Sequence, residues 1–120
     1  MPEPELVVYE KSTCTTCRNL AELLVERGIA FERVEYHVTG LTEPEIRDLL
    51  DKLGTGPREI LRMREPLVKE LGLDEPGAVD DDRLVELMAE HAELVQRPIV
   101  VRGERAVLAR PIERVDELFS

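Results

Sequence analysis

Hydrophobic and polar residues follow one another along the chain in a pattern that predicts a mixed α/β protein. Residues 6–9 form a short apolar run rich in β-formers, which predicts a buried strand that ends near Lys11. Apolar side chains then recur at helical spacing over residues 16–27, and Gly28 follows where a helix commonly ends. Residues 31–36 alternate weakly, which predicts a second strand. A strand, a helix and a strand in this order predict a right-handed βαβ unit with parallel strands.

The middle of the chain predicts a series of helices. Thr42 and Glu45 have the spacing of a capping box, and the apolar stripe that follows them ends at Gly54. Further helical segments are predicted at residues 59–63, at residues 66–71 and after residues 80–82. We therefore expect a helical insertion over residues 42–92 within a single domain of residues 1–120.

Two short apolar segments near the C-terminus, residues 98–101 and 106–108, predict a β-hairpin. A Gly-Glu pair at residues 103–104 separates them, and glycine at the first central position suits a type II′ turn. If the hairpin turns symmetrically about this pair, Arg97 lies opposite Arg110 at its open end. The two arginines then flank one edge of the sheet.

A final helix is predicted to follow the hairpin. Pro111 suits its first turn, and its apolar residues are expected to face inward: Ile112, Val115, Leu118 and Phe119. The predicted order is a βαβ unit, a group of helices and a ββα unit, which places the chain in the α/β class.

The composition narrows the possible function classes. The formal net charge is −10, and no run of lysine and arginine offers the basic stripe that nucleic-acid binding needs. No apolar run approaches the roughly 20 residues of a membrane span, and the N-terminus lacks the positive region of a signal peptide. We therefore expect a cytoplasmic protein that binds neither nucleic acid directly nor a membrane.

The only two cysteines, Cys14 and Cys17, form a Cys-x-x-Cys pair where the first strand gives way to the first helix. The unpaired N–H groups and the positive dipole end of a helix N-terminus favour a thiolate, so Cys14 is the predicted nucleophile. Half of a zinc site is an alternative interpretation, but His37 and His91 show no metal-ligand spacing, and no metal is expected. Cys17 remains open between a resolving thiol and a packing residue inside the helix.

The arginines of the predicted hairpin suggest a ligand for the thiol. If the hairpin lies beside the first strand and runs antiparallel to it, Arg97 reaches the sheet edge that carries Cys14, and Arg110 accompanies it. Guanidinium groups bind tetrahedral oxyanions through paired hydrogen bonds, which indicates an oxyanion site. The alternative is that these arginines pair with the abundant acidic side chains of the surface.

Five short motifs occur in a characteristic order along the chain. They are Cys-x-x-x-Arg from Cys14 to Arg18, Ile-Leu-Arg at 60–62 before Glu-Pro at 65–66, Leu-Gly-Leu at 71–73, Arg-Pro-Ile-Val-Val at 97–101 and Ala-Arg-Pro at 109–111. Over nearly its whole length the chain thus resembles the arsenate reductases of the glutaredoxin-linked ArsC family and their relatives, the Spx-type regulators. The resemblance implies a thioredoxin-like fold in which a helical insertion separates the βαβ unit from the ββα unit.

The resemblance also implies roles for particular residues. Cys14 matches the nucleophile, Arg62, Arg97 and Arg110 match the arginines that bind arsenate and its intermediates, and a cis peptide bond is expected before Pro98. The implied reaction is thiolate attack on arsenic, loss of water, attack by glutathione or another thiol, and release of arsenite. Glutaredoxin or thioredoxin is the implied electron donor, glutathione the implied co-substrate, and no bound cofactor is required.

Two departures from the reductase pattern bear on the chemistry. Glu10 stands where these reductases usually carry a histidine, and a nearby carboxylate is expected to raise the pKa of Cys14. Cys17 stands where they commonly carry serine or threonine, and the resulting Cys-x-x-Cys is characteristic of the Spx-type branch. Arg18 and Pro98 are candidates for supporting the loop, although an ordinary surface ion pair is equally open for Arg18.

Two rival functions follow from the same residues. A redox-sensing regulator would bind RNA polymerase and use the pair Cys14 and Cys17 as its switch. A thiol oxidoreductase that acts on proteins would use the same pair, but it leaves the arginines unexplained.

Overall fold

Four strands form one sheet in the computed structural model of the protein, which describes residues 6–75 and 77–119. In chain order they are β1 (Leu6–Glu10), β2 (Phe31–Glu35), β3 (Ile99–Arg102) and β4 (Arg105–Leu108). They lie side by side in the order β2-β1-β3-β4. β1 is parallel to β2 and antiparallel to β3, and β3 and β4 are antiparallel. The predicted parallel βαβ arrangement and the C-terminal hairpin are confirmed.

Helices and short 3₁₀ helices connect these strands. The α-helices of the described residues are α1 (Thr15–Glu26), α2 (Tyr36–Thr39), α3 (Glu43–Leu53), α4 (Pro66–Glu70) and α5 (Asp81–Glu90). The 3₁₀ helices are Pro57–Ile60, Ala92–Leu94 and Ile112–Phe119. No helix within the two described ranges is long and apolar enough to cross a membrane.

The chain divides into two compact units. One joins the N-terminal part, up to Thr39, to the part from Arg97 onward, and the other runs from Gly40 to Gln96. The core of the first unit combines residues of β1, α1, the hairpin and the last 3₁₀ helix: Leu6, Val8, Leu20, Leu24, Val100, Val107, Ala109, Val115 and Leu118. The proposed single domain of residues 1–120 with an insertion at 42–92 stays a prediction.

Helix α1 is bounded by the signals that its sequence carries. Cys14 is the N-cap residue, with extended backbone angles of φ −79° and ψ 126°. At the other end Gly28 adopts a φ of +67°, a left-handed conformation that glycine enters without the steric penalty of a side chain. Between these ends, the apolar stripe of α1 buries Cys17, Leu20 and Leu24. The helix therefore starts at the cysteine pair and presents its second cysteine to the interior.

The hairpin has the predicted register and turn. Ile99 lies opposite Leu108, and Arg102 lies opposite Arg105. Gly103 has a φ of +60° whereas the φ of Glu104 is not positive, which is the pattern of a type II′ turn.

Two predictions about helical segments are wrong. The helix expected over residues 59–63 is instead the 3₁₀ helix Pro57–Ile60, because the chain beyond it pairs with a distant segment. Leu61 forms an antiparallel bridge with Val95, and the N–H of Arg62 donates to the Leu94 carbonyl at 2.7 Å. Phe119 does not face inward, since 38 % of it is exposed and its ring centroid lies 4.3 Å from the Arg102 guanidinium, a cation–π contact.

The second unit follows the predicted capping pattern closely. Thr42 and Glu45 form a complete capping box at the start of α3, and Gly54 ends that helix in a left-handed conformation. Asp80 accepts a hydrogen bond of 2.8 Å from the N–H of Arg83 and caps α5. The acidic run at residues 80–82 is therefore a helix N-terminus, where negative charge is favourable.

Candidate active site

Cys14 lies in the turn between β1 and α1. Its N–H donates to the Lys11 carbonyl at 2.9 Å, and its own carbonyl accepts from the N–H of Arg18 at 3.0 Å, which is the first turn of the helix. The side chain is partly buried and its thiol is free. The sequence-based placement of Cys14 at the N-terminus of the first helix is confirmed, and the thiol faces the positive end of the helix dipole.

The surroundings of Cys14 favour its thiolate form. Burial opposes ionisation, but the backbone N–H and the thiol of Cys17, together with the guanidinium of Arg97, lower the pKa of Cys14 to about 7. Cys14 therefore ionises more readily near neutral pH than an ordinary cysteine does. Glu10 is not among the main influences on the pKa of Cys14, so the expectation that its carboxylate raises this pKa stays a prediction.

Cys17 has the opposite character. It is fully buried in α1, and this burial raises the pKa of its thiol to about 12, with further contributions from Cys14 and Glu10. Cys17 consequently keeps its proton at neutral pH, and the two cysteines of the motif are chemically distinct.

Glu10 is a buried carboxylate at the end of β1. Only 1 % of it is exposed, and its Oε1 lies 2.7 Å from Nε of Arg33 on the neighbouring strand β2. Burial raises the pKa of Glu10 despite the Arg33 cation, and Glu35, its register partner on β2, raises it further.

Arg97 supplies the cation beside Cys14. It is 8 % exposed, it lies two residues before β3, and its peptide bond to Pro98 is cis, as the resemblance implies. Burial disfavours its charge, but interactions with Tyr36 and with Cys14 raise the pKa of Arg97 above its ordinary value. A buried cation that faces a thiolate forms one half of a site for an oxyanion.

Tyr36 is a residue of this site that the sequence analysis did not identify. It is 1 % exposed and directly follows β2, and it interacts with Arg97. Its position directly after β2 could have identified it from the sequence. β1 and β2 are parallel, so their carboxyl ends reach the same sheet edge, where ligands of α/β proteins commonly bind.

Arg110 is held against the main chain of Arg97. Its Nη1 donates to the Arg97 carbonyl at 2.8 Å, and the N–H of Ala109 donates to the Pro98 carbonyl at 2.9 Å. The hairpin contacts thus continue beyond β3 and β4 to the two arginines. The structure places Arg97 beside Cys14 and holds Arg110 against the main chain of Arg97, all within the first unit.

Two further predicted site residues, Arg62 and Arg18, have contacts and surroundings of their own. Arg62 belongs to the second unit, where its Nη1 donates to Oε1 of Gln96 at 2.8 Å and its Nε lies 4.0 Å from Oε2 of Glu65. Arg18 is exposed on α1. With Arg33 and residues of the exposed face of α1, it lines a groove of about 560 Å³.

Comparison with known proteins assigns the chain to a family. Residues 9–118 match the model of the ArsC family. The chain belongs to the ArsC family. The match includes Cys14 and all three arginines of the predicted anion site, so the ArsC pattern covers both units.

Similar proteins match nearly the whole length of this chain. The arsenate reductase of Neisseria meningitidis serogroup A is 39 % identical over 117 residues, which are 97 % of this chain and 99 % of the relative. The arsenate reductase of Escherichia coli strain K12 is 34 % identical over 114 residues, 95 % of this chain and 80 % of that protein. The solved structure of an arsenate reductase from Vibrio cholerae superposes with a TM-score of 0.89 at 36 % identity and covers 97 % of this chain and 98 % of its own. The thioredoxin-like ArsC fold implied by the sequence is confirmed.

Proposed function

We propose that this ArsC-family protein reduces arsenate to arsenite, with Cys14 as the nucleophile. The observation that carries the proposal is the thiolate-favouring position of Cys14, whose pKa is about 7, beside the buried guanidinium of Arg97. A thiolate is the reactive form of cysteine, and a guanidinium is the cation best suited to a tetrahedral oxyanion. Relatives that match nearly the whole of this chain are named arsenate reductases, which supports arsenate as the oxyanion substrate.

The first step joins sulfur to arsenic. The Cys14 thiolate attacks arsenate, a sulfur–arsenic bond forms, and one arsenate oxygen leaves as water after it takes up protons. Arg97 carries positive charge next to this sulfur, and Arg110 is held against the main chain of Arg97. In the proposed reaction the two guanidinium groups bind the oxyanion and offset its repulsion of the thiolate. Arg62 is proposed as the third arginine of the anion site, and Arg18 and Pro98 as supports of the loop.

The second step transfers two electrons. A glutathione thiolate attacks the Cys14 sulfur, a disulfide forms, and the electron pair of the sulfur–arsenic bond stays on arsenic, which leaves as arsenite. Glutaredoxin with a second glutathione then returns Cys14 to the thiol, although a thioredoxin-type donor is the alternative. Glutathione is thus a co-substrate, no bound cofactor takes part, and the reducing cytoplasm suits the reaction.

The experiment is a coupled assay with the purified protein. Arsenate, glutathione, glutaredoxin, glutathione reductase and NADPH should together give arsenite and consume NADPH, whereas Cys14→Ser should be inactive because a hydroxyl cannot form the sulfur–arsenic bond. Inactivity of the wild-type protein with both glutaredoxin and thioredoxin would contradict the proposal, as would a Cys14→Ser variant that turns over near the wild-type rate.

The regulator alternative makes a different prediction. A switch that binds RNA polymerase should be retained on the polymerase α-subunit in a manner that dithiothreitol alters. The full burial and high pKa of Cys17 do not favour a readily formed disulfide with Cys14, so we expect no binding to the α-subunit that dithiothreitol alters.

A further inference from the structure

Two buried ionisable groups have no role in the proposed reaction. Cys17 is fully buried in α1, and Glu10 is 1 % exposed at the end of β1. Neither carboxylate oxygen of Glu10 receives an aligned hydrogen bond, although Arg33 lies within ion-pair distance. Burying a carboxylate without hydrogen bonds costs free energy, which indicates that the Glu10 carboxylate has a role in the protein.

The geometry of the first turn of α1 relates the two cysteines. Cys14 is the N-cap residue and Cys17 is the third helical residue, and side chains at these two positions lie on the same side of the turn. The side chain of Cys14 forms no standard N-cap hydrogen bond with the helix. Its thiolate is nevertheless stabilised by both the N–H and the thiol of Cys17. The Cys17 thiol can donate to that thiolate only while it keeps its proton.

We propose that Cys17 is a hydrogen-bond donor to the Cys14 thiolate rather than an attacking thiol, and that the buried carboxylate of Glu10 adds to the burial that keeps Cys17 protonated. The inference rests on the proposed role of Cys14 as the reacting thiolate. It makes Cys17 and Glu10 positioning residues, which act on the reaction through Cys14.

The charges around the pair are arranged to separate the two thiols. Arg97 acts on Cys14 and favours its anion, whereas Glu10 acts on Cys17 and disfavours a second anion. From β2, Arg33 offsets part of the Glu10 charge and Glu35 adds negative charge. The remaining contact, from the Lys11 backbone to Cys17, favours the Cys17 anion but is outweighed by burial. One cysteine thus ionises near neutral pH while the other stays a donor.

The decisive test compares Cys17→Ser with Cys17→Ala. Both variants remove the second thiol and leave Cys14 as the only cysteine of the chain, so the thiolate absorbance in the ultraviolet follows Cys14 alone as the pH is varied. Serine retains an O–H donor and should leave the Cys14 titration near that of the wild type. Alanine has no donor and should raise the pKa of Cys14 by about one unit, which leaves several-fold less thiolate at neutral pH.

The outcomes separate a donor from an attacking thiol. If Cys17 attacks, the glutathione-linked turnover of both variants falls to a similar extent, while the titration of Cys14 in the alanine variant stays unchanged. Either of these results overturns the proposal. The titration needs no arsenate, so its result stands even if the protein proves inactive as an arsenate reductase.

The part assigned to Glu10 is tested with an aromatic disulfide reagent. The first chromophore released reports the reaction of Cys14, and the second reports the attack of Cys17 on the mixed disulfide. Glu10→Gln should accelerate the second release by roughly threefold, whereas Arg33→Met should slow it. Glu32→Gln, the same charge change at an exposed position of β2, is the matched control and should leave it unchanged.

The Glu32→Gln control also shows which results would contradict the role proposed for Glu10. A second release that is no faster in Glu10→Gln, or that is equally accelerated in Glu32→Gln, overturns the role of the buried carboxylate. If Glu10→Gln does not fold, Arg33→Met decides the question alone, because an unchanged second release in that variant contradicts the proposal.

Discussion

Arg110 donates a hydrogen bond from its Nη1 to the main-chain carbonyl of Arg97, over 2.8 Å. One of the five guanidinium donors is therefore committed to the end of the hairpin, and this contact fixes the second arginine relative to the first. Because the same side chain is proposed to bind the oxyanion, its removal should affect both stability and activity.

We expect Arg110→Ala and Arg110→Lys to separate these two contributions. Alanine loses the hydrogen bond and should destabilise the protein by about 1 kcal/mol, whereas lysine can still donate to the carbonyl and should recover most of that stability. Lysine lacks the planar fork, so its KM for arsenate should remain raised. Thermal unfolding and steady-state kinetics measure the two effects, and full recovery of KM in the lysine variant would show that the fork is not needed.

The low pKa of Cys14 gives a pH prediction with a definite sign. Below about pH 7 the group is a thiol and above it a thiolate, so alkylation by iodoacetamide should rise about tenfold between about pH 6 and pH 8 and then level off. Cys17, with a pKa of about 12, should remain unmodified over this range. Mass spectrometry of the alkylated peptide provides the measurement, and a midpoint at the ordinary thiol value of about 8.5 would contradict the assignment.

Tyr36 should matter through Arg97. Tyr36→Phe removes the hydroxyl that interacts with the buried guanidinium, so we expect a loss of about 1–3 kcal/mol in stability, a higher pKa of Cys14 and a higher KM for arsenate. The change should have no further effect on the titration of Cys14 when Arg97 is already replaced by methionine. An equal effect in both backgrounds would mean that Tyr36 acts on the thiol by another route.

The sequence predicted those parts of the fold that depend on local patterns. The capping box of Thr42 and Glu45, the glycine at Gly28 and the turn at Gly103 are set by residues close together in the chain, and each was found as expected. The same holds for Cys14, because its position depends only on where β1 ends and α1 begins.

The misjudged features all depend on partners distant in sequence. Residues 61–62 are not helical, because their backbone pairs with residues 94–95. Phe119 is exposed, and its ring contacts the cation of Arg102. The sequence likewise does not show that Arg33 lies beside the Glu10 carboxylate, or that Glu10 acts on Cys17. Local periodicity carries no information about such pairs.

Phosphate should be a competitive inhibitor of arsenate reduction. It has the same tetrahedral shape and a similar charge, so it should occupy the arginine site, but a thiolate cannot reduce it. The net charge of −10 gives the anion no long-range attraction, so its binding has to come from guanidinium groups close to Cys14. Arg97→Met should therefore weaken phosphate inhibition at least tenfold, a loss typical of a charged hydrogen bond of about 1.5–3 kcal/mol.

Arg83→Met is the matched control for phosphate inhibition. Arg83 is an exposed arginine of α5 paired with Glu86 at 2.8 Å, and its loss changes the net charge by the same amount. Its inhibition constant for phosphate should equal that of the wild type. A noncompetitive pattern would place phosphate away from the arsenate site, and an equal weakening in Arg83→Met would mean that the overall charge, rather than the Arg97 guanidinium, governs the binding of the anion.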